Sequence, residues 1–116
     1  MAPSAAEFRP RVERLLNAFG RDPESEPGRR VAEAGARFAE LVLGWSERVD
    51  LTATRDPDEL VDLLFADAAA ILRSGVRSAG ESWLDVGSGM GAPGVAIALL
   101  DRTLRVTLVE DRKSVV

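Results

Sequence analysis

Apolar positions recur at helical spacing from the start of the chain to about residue 73, and the pattern then changes. Phe8, Val12, Leu15, Leu16 and Phe19 fall on one helical face. Ser4 ahead of them suits an N-cap and Gly20 a stop, so the spacing predicts a helix over 4–20. Pro10 fits that helix only if it begins close by. Residues 21–28, Arg-Asp-Pro-Glu-Ser-Glu-Pro-Gly, are a loop by composition. A second helix is predicted over 29–47, with Val31, Phe38, Leu41, Val42 and Trp45 as its stripe. Residues 48–55 are short and β-branched and read as extended or irregular. Asp56, Pro57 and Glu59 then form a capping-box start with Asp in place of Ser or Thr. Leu60, Leu63, Leu64, Ala68, Ile71 and Leu72 give this third helix its apolar face, and it ends near Arg73–Gly75.

Past a polar connector over 74–81, the periodicity switches. Residues 82–86 read as a buried strand, 92–101 as a helix and 105–109 as a second strand. Strand, helix and strand over about 30 residues make one βαβ unit with a parallel pair. The expected architecture is α/β: an N-terminal helical region over 1–80, then a strand, glycine-rich loop, helix and strand over 81–116. The first strand of a doubly wound sheet is central. Here it has a partner on one side only, so its other edge invites self-association.

Composition narrows the chemistry. The chain has 116 residues, 46% hydrophobic and 29% charged, with a net charge of −4, so no global basic field points to nucleic acid. All but one of its 15 basic residues are Arg, the exception being Lys113. Cys and His are absent, which excludes disulfides, thiolate or imidazole metal sites and histidine catalysis. No metal is expected. No apolar run reaches the roughly 18 residues of a membrane span, and the start lacks a signal-peptide pattern. A cytoplasmic protein without a membrane contact is the expectation.

The chemistry concentrates in Trp83-Leu84-Asp85-Val86-Gly87-Ser88-Gly89-Met90-Gly91-Ala92-Pro93-Gly94. A strand ends at an acid, a glycine-rich turn follows, and a helix begins. Bare backbone lets a ligand approach closely, and the N–H groups at the next helix start face the same spot. Glu110 closes the second strand, 23 residues after Gly87. A carboxylate there accepts both hydroxyl protons of a ribose. NAD brings a pyrophosphate, whereas S-adenosylmethionine brings an ammonium and a sulfonium. Asp85 favours the cationic ligand, since one charge sign at a few ångströms is worth roughly 4 kcal/mol at an effective dielectric near 20. The alternative is that Asp85 only caps a tight strand-to-helix turn and Glu110 is a solvated strand-end acid.

Three segments carry a family resemblance: Asp50-Leu51-Thr52-Ala53-Thr54-Arg55-Asp56-Pro57-Asp58-Glu59-Leu60, then Leu84 to Gly94, then Thr107-Leu108-Val109-Glu110. From about residue 40 onward the chain resembles the RsmG (GidB) family, bacterial small-subunit ribosomal RNA guanine-N(7) methyltransferases. The resemblance implies a Rossmann-like fold dependent on S-adenosylmethionine, with small-subunit ribosomal RNA as the acceptor. It implies cofactor contacts along the turn at Asp85, Gly87, Ser88, Gly89, Gly91 and Ala92, with Glu110 at the ribose. Arg48, Arg55, Arg112 and Lys113 are candidate RNA contacts, and they are also readable as ordinary solvated charges.

The chain departs from the family pattern in three places. A basic-His pair followed by Asp-Ser is replaced by Leu63 and Leu64, then Asp67 and Ala68. The residue after Gly91 is usually larger than Ala92. The family also continues well past the position of Val116, so the expectation is an incomplete fold, a C-terminally truncated chain inactive on its own. Two alternatives remain beside the methyltransferase: a non-catalytic binding or assembly module of the same fold, and a fragment of an NAD-binding oxidoreductase.

Overall fold

A computed structural model describes residues 3–49, 56–75, 78–86 and 93–109, with only the backbone for 46–49. Four helices and a two-stranded sheet follow in the order α1 (Ala5–Ala18), α2 (Glu26–Val49), α3 (Pro57–Arg73), β1 (Ser82–Val86), α4 (Gly94–Leu100) and β2 (Arg105–Val109). The architecture is mixed α/β, and the two strands run parallel in the register Ser82↔Arg105 to Val86↔Val109.

Local chemistry explains most boundaries, and corrects some expected from sequence. α1 begins after Ser4, but the serine side chain makes no cap bond. Its carbonyl receives the N–H groups of Glu7 and Phe8, while the Ala5 N–H donates to Glu40 Oε2 of α2 at 2.9 Å. Pro10 lies inside the helix. It forfeits the bond to the Ala6 carbonyl and its ring crowds that oxygen, and the burial of Phe8 and Val12 on either side offsets the cost. Gly20, at φ +77°, ends the helix in a Schellman motif: Arg21 N–H reaches the Leu16 carbonyl and Gly20 N–H the Asn17 carbonyl.

α2 starts at Glu26, three residues earlier than the loop-like composition of 21–28 suggests. Ser25 is the reason. Its hydroxyl accepts from Gly28 N–H at 3.1 Å and its carbonyl from Arg29 N–H at 2.8 Å. Pro27 falls in the first turn, where no N–H is needed. α3 starts as expected, with the Asp56 carboxylate accepting from Glu59 N–H at 3.0 Å. At the other end of the chain the helix begins at Gly94, because Pro93 takes the N-cap position.

α1 packs on α2 and α3, while α4 packs on α2, α3 and β2. One continuous core results, running from Phe8, Val12 and Leu16 through Leu60, Leu64 and Phe65 to Ala96, Ile97 and Leu100. The helix of the βαβ unit therefore shares its core with the N-terminal helices. The contact face of α2 keeps part of the expected stripe: Val31 and Val42 are buried and Phe38 packs on the core, but Leu41 and Trp45 are about half exposed, and Ala32, Ala36, Ala39 and Leu43 are buried beside them. Small residues let the neighbouring helices close in. Gly35 faces the Phe65 ring so tightly that a Cβ there would sit 3.0 Å from Cζ, and Phe38 meets the same ring edge-on with centroids 6.0 Å apart. On α3, Leu64 is buried but Leu63 is 47% exposed. Adjacent positions on a helix are about 100° apart, and only one of the two leucines points into the core.

The sheet is covered on one face. Trp83 and Val106 pack against the core on the α4 side. Alternation places Leu84 and Val86 on the other face, where they are 64% and 73% exposed. The buried strand expected over 82–86 is thus bare on its outer side. Among the described residues the order is β1–β2, so the second edge of β1 has no neighbouring strand.

Candidate functional site

Asp85 is the described member of the expected cofactor site. It stands at the carboxyl end of β1, half-buried, opposite Leu108 in the sheet register. Its Oδ2 accepts a hydrogen bond from Gly94 N–H at 2.9 Å. The bond spans nine residues and ties the end of β1 to the first residue of α4. It satisfies one of the N–H groups that a helix start leaves without an intrahelical partner. Gly87, Ser88, Gly89, Gly91 and Ala92, which lie inside this clasp in sequence, fall outside the described residues, as does Glu110. So do Arg55, Arg112 and Lys113 and the side chain of Arg48.

Sequence reasoning placed Asp85 in the site and left Gly94 out of its contacts. The structure makes Gly94 its partner. A Cβ on Gly94 would collide with the Asp85 carboxylate and with the side chain of Leu108 from β2. Only glycine lets the helix start drop between the two strand ends. The signal was present in the sequence as the Pro93-Gly94 pair: proline caps, and glycine permits the close approach.

The far end of α4 is held as well. Arg21, in the turn after α1, donates through Nη1 to the Leu100 carbonyl at 2.5 Å, so a cation meets the carbonyl end of the helix. Asp101 then accepts from both the N–H and the hydroxyl of Thr103, at 3.0 and 2.6 Å, and turns the chain into β2. The helix is thereby pinned at its start by Asp85 and at its end by the helical region.

The chemistry on offer at the strand end is a carboxylate with one oxygen engaged by main chain, beside a helix start that a side chain would obstruct. This donor set fits a cationic nucleoside such as S-adenosylmethionine, whose ammonium and sulfonium a carboxylate stabilises. Among the described residues no group of three or more His, Cys, Asp or Glu is placed to hold a metal ion. None of the described helices is long and apolar enough to cross a membrane.

Comparison with known proteins places this sequence in a family. The family model for rRNA small subunit methyltransferase G (GidB) matches residues 32–114. A ribosomal RNA small subunit methyltransferase G of Pseudomonas paraeruginosa (strain DSM 24068 / PA7) is 42% identical over 73 residues, which is 63% of this chain and 33% of that protein. The protein of the same name from Pseudomonas aeruginosa (strain LESB58) shows the same identity and coverage. The one from Pseudomonas putida (strain GB-1) is 38% identical over 73 residues, again 33% of its length. The chain thus spans about a third of the length of the curated relatives it matches. The family match takes in the third helix, both strands and the Asp85–Gly94 clasp, and on it the chain belongs to the rRNA small subunit methyltransferase G (GidB) family.

Proposed function

We propose that this chain carries the cofactor-binding front of a Rossmann-like methyltransferase that uses S-adenosylmethionine to methylate small-subunit ribosomal RNA at a guanine N7. The observation that carries the reading is the place of Asp85, at the carboxyl end of a parallel strand, where open α/β sheets bind nucleotides. Its bond to Gly94 is the turn cap that the alternative reading of Asp85 also expects, and it engages one carboxylate oxygen. The cofactor supplies an activated methyl group. Asp85 supplies the negative charge that orients it, through the oxygen not engaged by Gly94. Gly87, Ser88, Gly89, Gly91 and Ala92 are assigned to the turn that receives it, and Glu110 to the ribose hydroxyls. Arg48, Arg55, Arg112 and Lys113 are assigned to RNA phosphate.

The chain needs no histidine or cysteine for this reaction. Guanine N7 carries a lone pair, so no base has to expose the nucleophile. Holding that nitrogen in line with the methyl and the sulfur is the protein's task, and orientation alone supplies several kcal/mol.

The test is ligand-induced stabilisation of the chain. S-adenosylhomocysteine is expected to raise its Tm, NAD to leave it unchanged, and Asp85→Asn to abolish the rise. A rise with NAD in place of S-adenosylhomocysteine overturns the reading in favour of an oxidoreductase fragment.

One observation favours a second reading, an assembly module that self-associates. Leu84 and Val86 stand bare on the outer face of a strand whose second edge has no described neighbour. Light scattering decides it: a stable dimer that Leu84→Lys with Val86→Lys dissolves, without any binding of S-adenosylhomocysteine, supports the module over the enzyme.

A further inference from the structure

A groove of about 690 Å³ runs between the first half of α2 and the end of α4, away from the Asp85 clasp. Its floor is apolar, with Val31 and Ala34 from α2 and Leu99 from α4. Its rim is cationic. Arg30 and Arg37 rise from α2 and Arg102 from the turn after α4. Glu33 is the one acid that lines it. Three guanidinium groups against Glu33 in the lining and Glu26 beside Arg30 leave the rim locally positive on a chain whose net charge is −4.

The rim arginines are not spent on ion pairs. Among the described residues neither Arg37 nor Arg102 has a carboxylate partner within ion-pair distance, and Arg30 has only the exposed Glu26 at 3.8 Å. An exposed contact of that length is worth little. Other arginines of the helical region are engaged: Arg11 and Arg14 both meet Asp58, at 2.6 and 3.0 Å, and Arg9 meets Glu13. Arg29, Arg73 and Arg105 also have no carboxylate partner among the described ion pairs, but none of them lines this groove.

We propose that this groove binds a single-stranded stretch of RNA, as a second contact with the ribosomal RNA of the proposed function, on which this inference rests. Arg30 and Arg37 lie two turns apart on one helical face, about 10 Å along the axis. That distance is roughly three nucleotides of a stacked strand at about 3.4 Å each. The planar guanidinium fork engages phosphate oxygens in pairs and stacks on bases. The apolar floor accepts the flat faces of bases and ribose, which an acidic peptide does not offer. A cationic groove that tracks the phosphates is one half of sequence-tolerant strand binding, and here aliphatic side chains and the arginine planes stand where aromatic rings usually stack.

The experiment is fluorescence anisotropy of a short labelled single-stranded RNA titrated with the whole chain at several salt concentrations. Arg37→Gln with Arg102→Gln is expected to weaken binding about tenfold and to lower the slope of log affinity against log salt by about 1.4, two phosphates at about 0.7 each. Arg37→Lys with Arg102→Lys keeps the charge and is expected to restore most of the slope. Arg9→Gln with Arg14→Gln removes the same charge from the α1 face and is expected to leave binding nearly unchanged. Equal loss in the two glutamine pairs overturns the groove as a site, as does RNA binding that neither affects. Absence of RNA binding by the unaltered chain, or tighter binding of polyglutamate than of RNA, also overturns it. Titration with S-adenosylhomocysteine in parallel reports on the methyltransferase reading independently, so loss of the groove and loss of that reading give different results.

Discussion

In the helical region Phe8, Leu16, Leu60, Leu64 and Phe65 are buried almost completely, whereas in the sheet Leu84 and Val86 are more than half exposed. Both regions have enough apolar side chains to make a core. They differ in how many covers each face has. α2 offers Ala32, Gly35, Ala36 and Ala39 as a low surface, and large side chains from α1 and α3 fill it from two sides. The sheet has α4 on one face and no described element on the other. Parallel sheets are normally covered on both. Stability therefore resides in the helices, and the candidate site sits at the less protected end, joined to them through α4.

The comparison is broken most directly at two adjacent buried residues on α3, Leu64 and Phe65. Leu64→Arg puts an unpaired charge into the core and is expected to cost more than about 3 kcal/mol, or to prevent cooperative unfolding. Phe65→Ala is expected to cost about 3–5 kcal/mol, since the ring is buried against Gly35 and Phe38. Urea unfolding followed by circular dichroism measures both, and a loss below about 1 kcal/mol for either shows that the helical core is not the main support.

Gly94→Ala tests the junction between the two regions. Its methyl group would meet the Asp85 carboxylate and Leu108, so an overpacking cost of about 1–3 kcal/mol is expected. The same substitution is expected to abolish stabilisation by S-adenosylhomocysteine, and unchanged ligand binding separates the clasp from the cofactor site. Asp56→Ala removes the α3 cap and is expected to cost about 1 kcal/mol. The smallest effects belong to exposed positions. Leu63→Arg and Val86→Thr are each expected to change stability by no more than about 0.5 kcal/mol. A larger loss for Val86→Thr means that the outer face of the sheet is covered in solution.

Much of this was legible in the residues themselves. Asp56-Pro57 and Gly20 set helix ends through bonds made within a few residues, and the strands 82–86 and 105–109 were visible from their patterning. Ser25 was missed as a cap because Pro23, Pro27 and Gly28 around it spell a loop by composition, although proline in a first turn is favourable. Leu41, Trp45 and Leu63 were assigned to apolar faces because they are large and near the right spacing. Spacing alone does not say which of two adjacent stripes a neighbour covers. The alanines of α2 were overlooked for the same reason: a small side chain gives a weak pattern, yet it decides how closely helices pack. At the site, Asp85 was found by its position after an apolar strand. Its bond to Gly94 was not, since nine residues separate the two in sequence.

The amino-acid sequence by itself determined the element order, the Asp56 cap and the Gly20 stop, the parallel βαβ unit, the acid before a glycine-rich turn and the family. Each of these depends on residues close together in the chain or on a motif read in one pass. Only the tertiary structure decided that α4 joins the helical core, that Gly94 must be bare to receive Asp85, that one face of the sheet has no cover among the described residues, and that Arg30, Arg37 and Arg102 border one groove. Those outcomes depend on how far apart packed elements lie, and that distance is set by the volumes of side chains on two elements together.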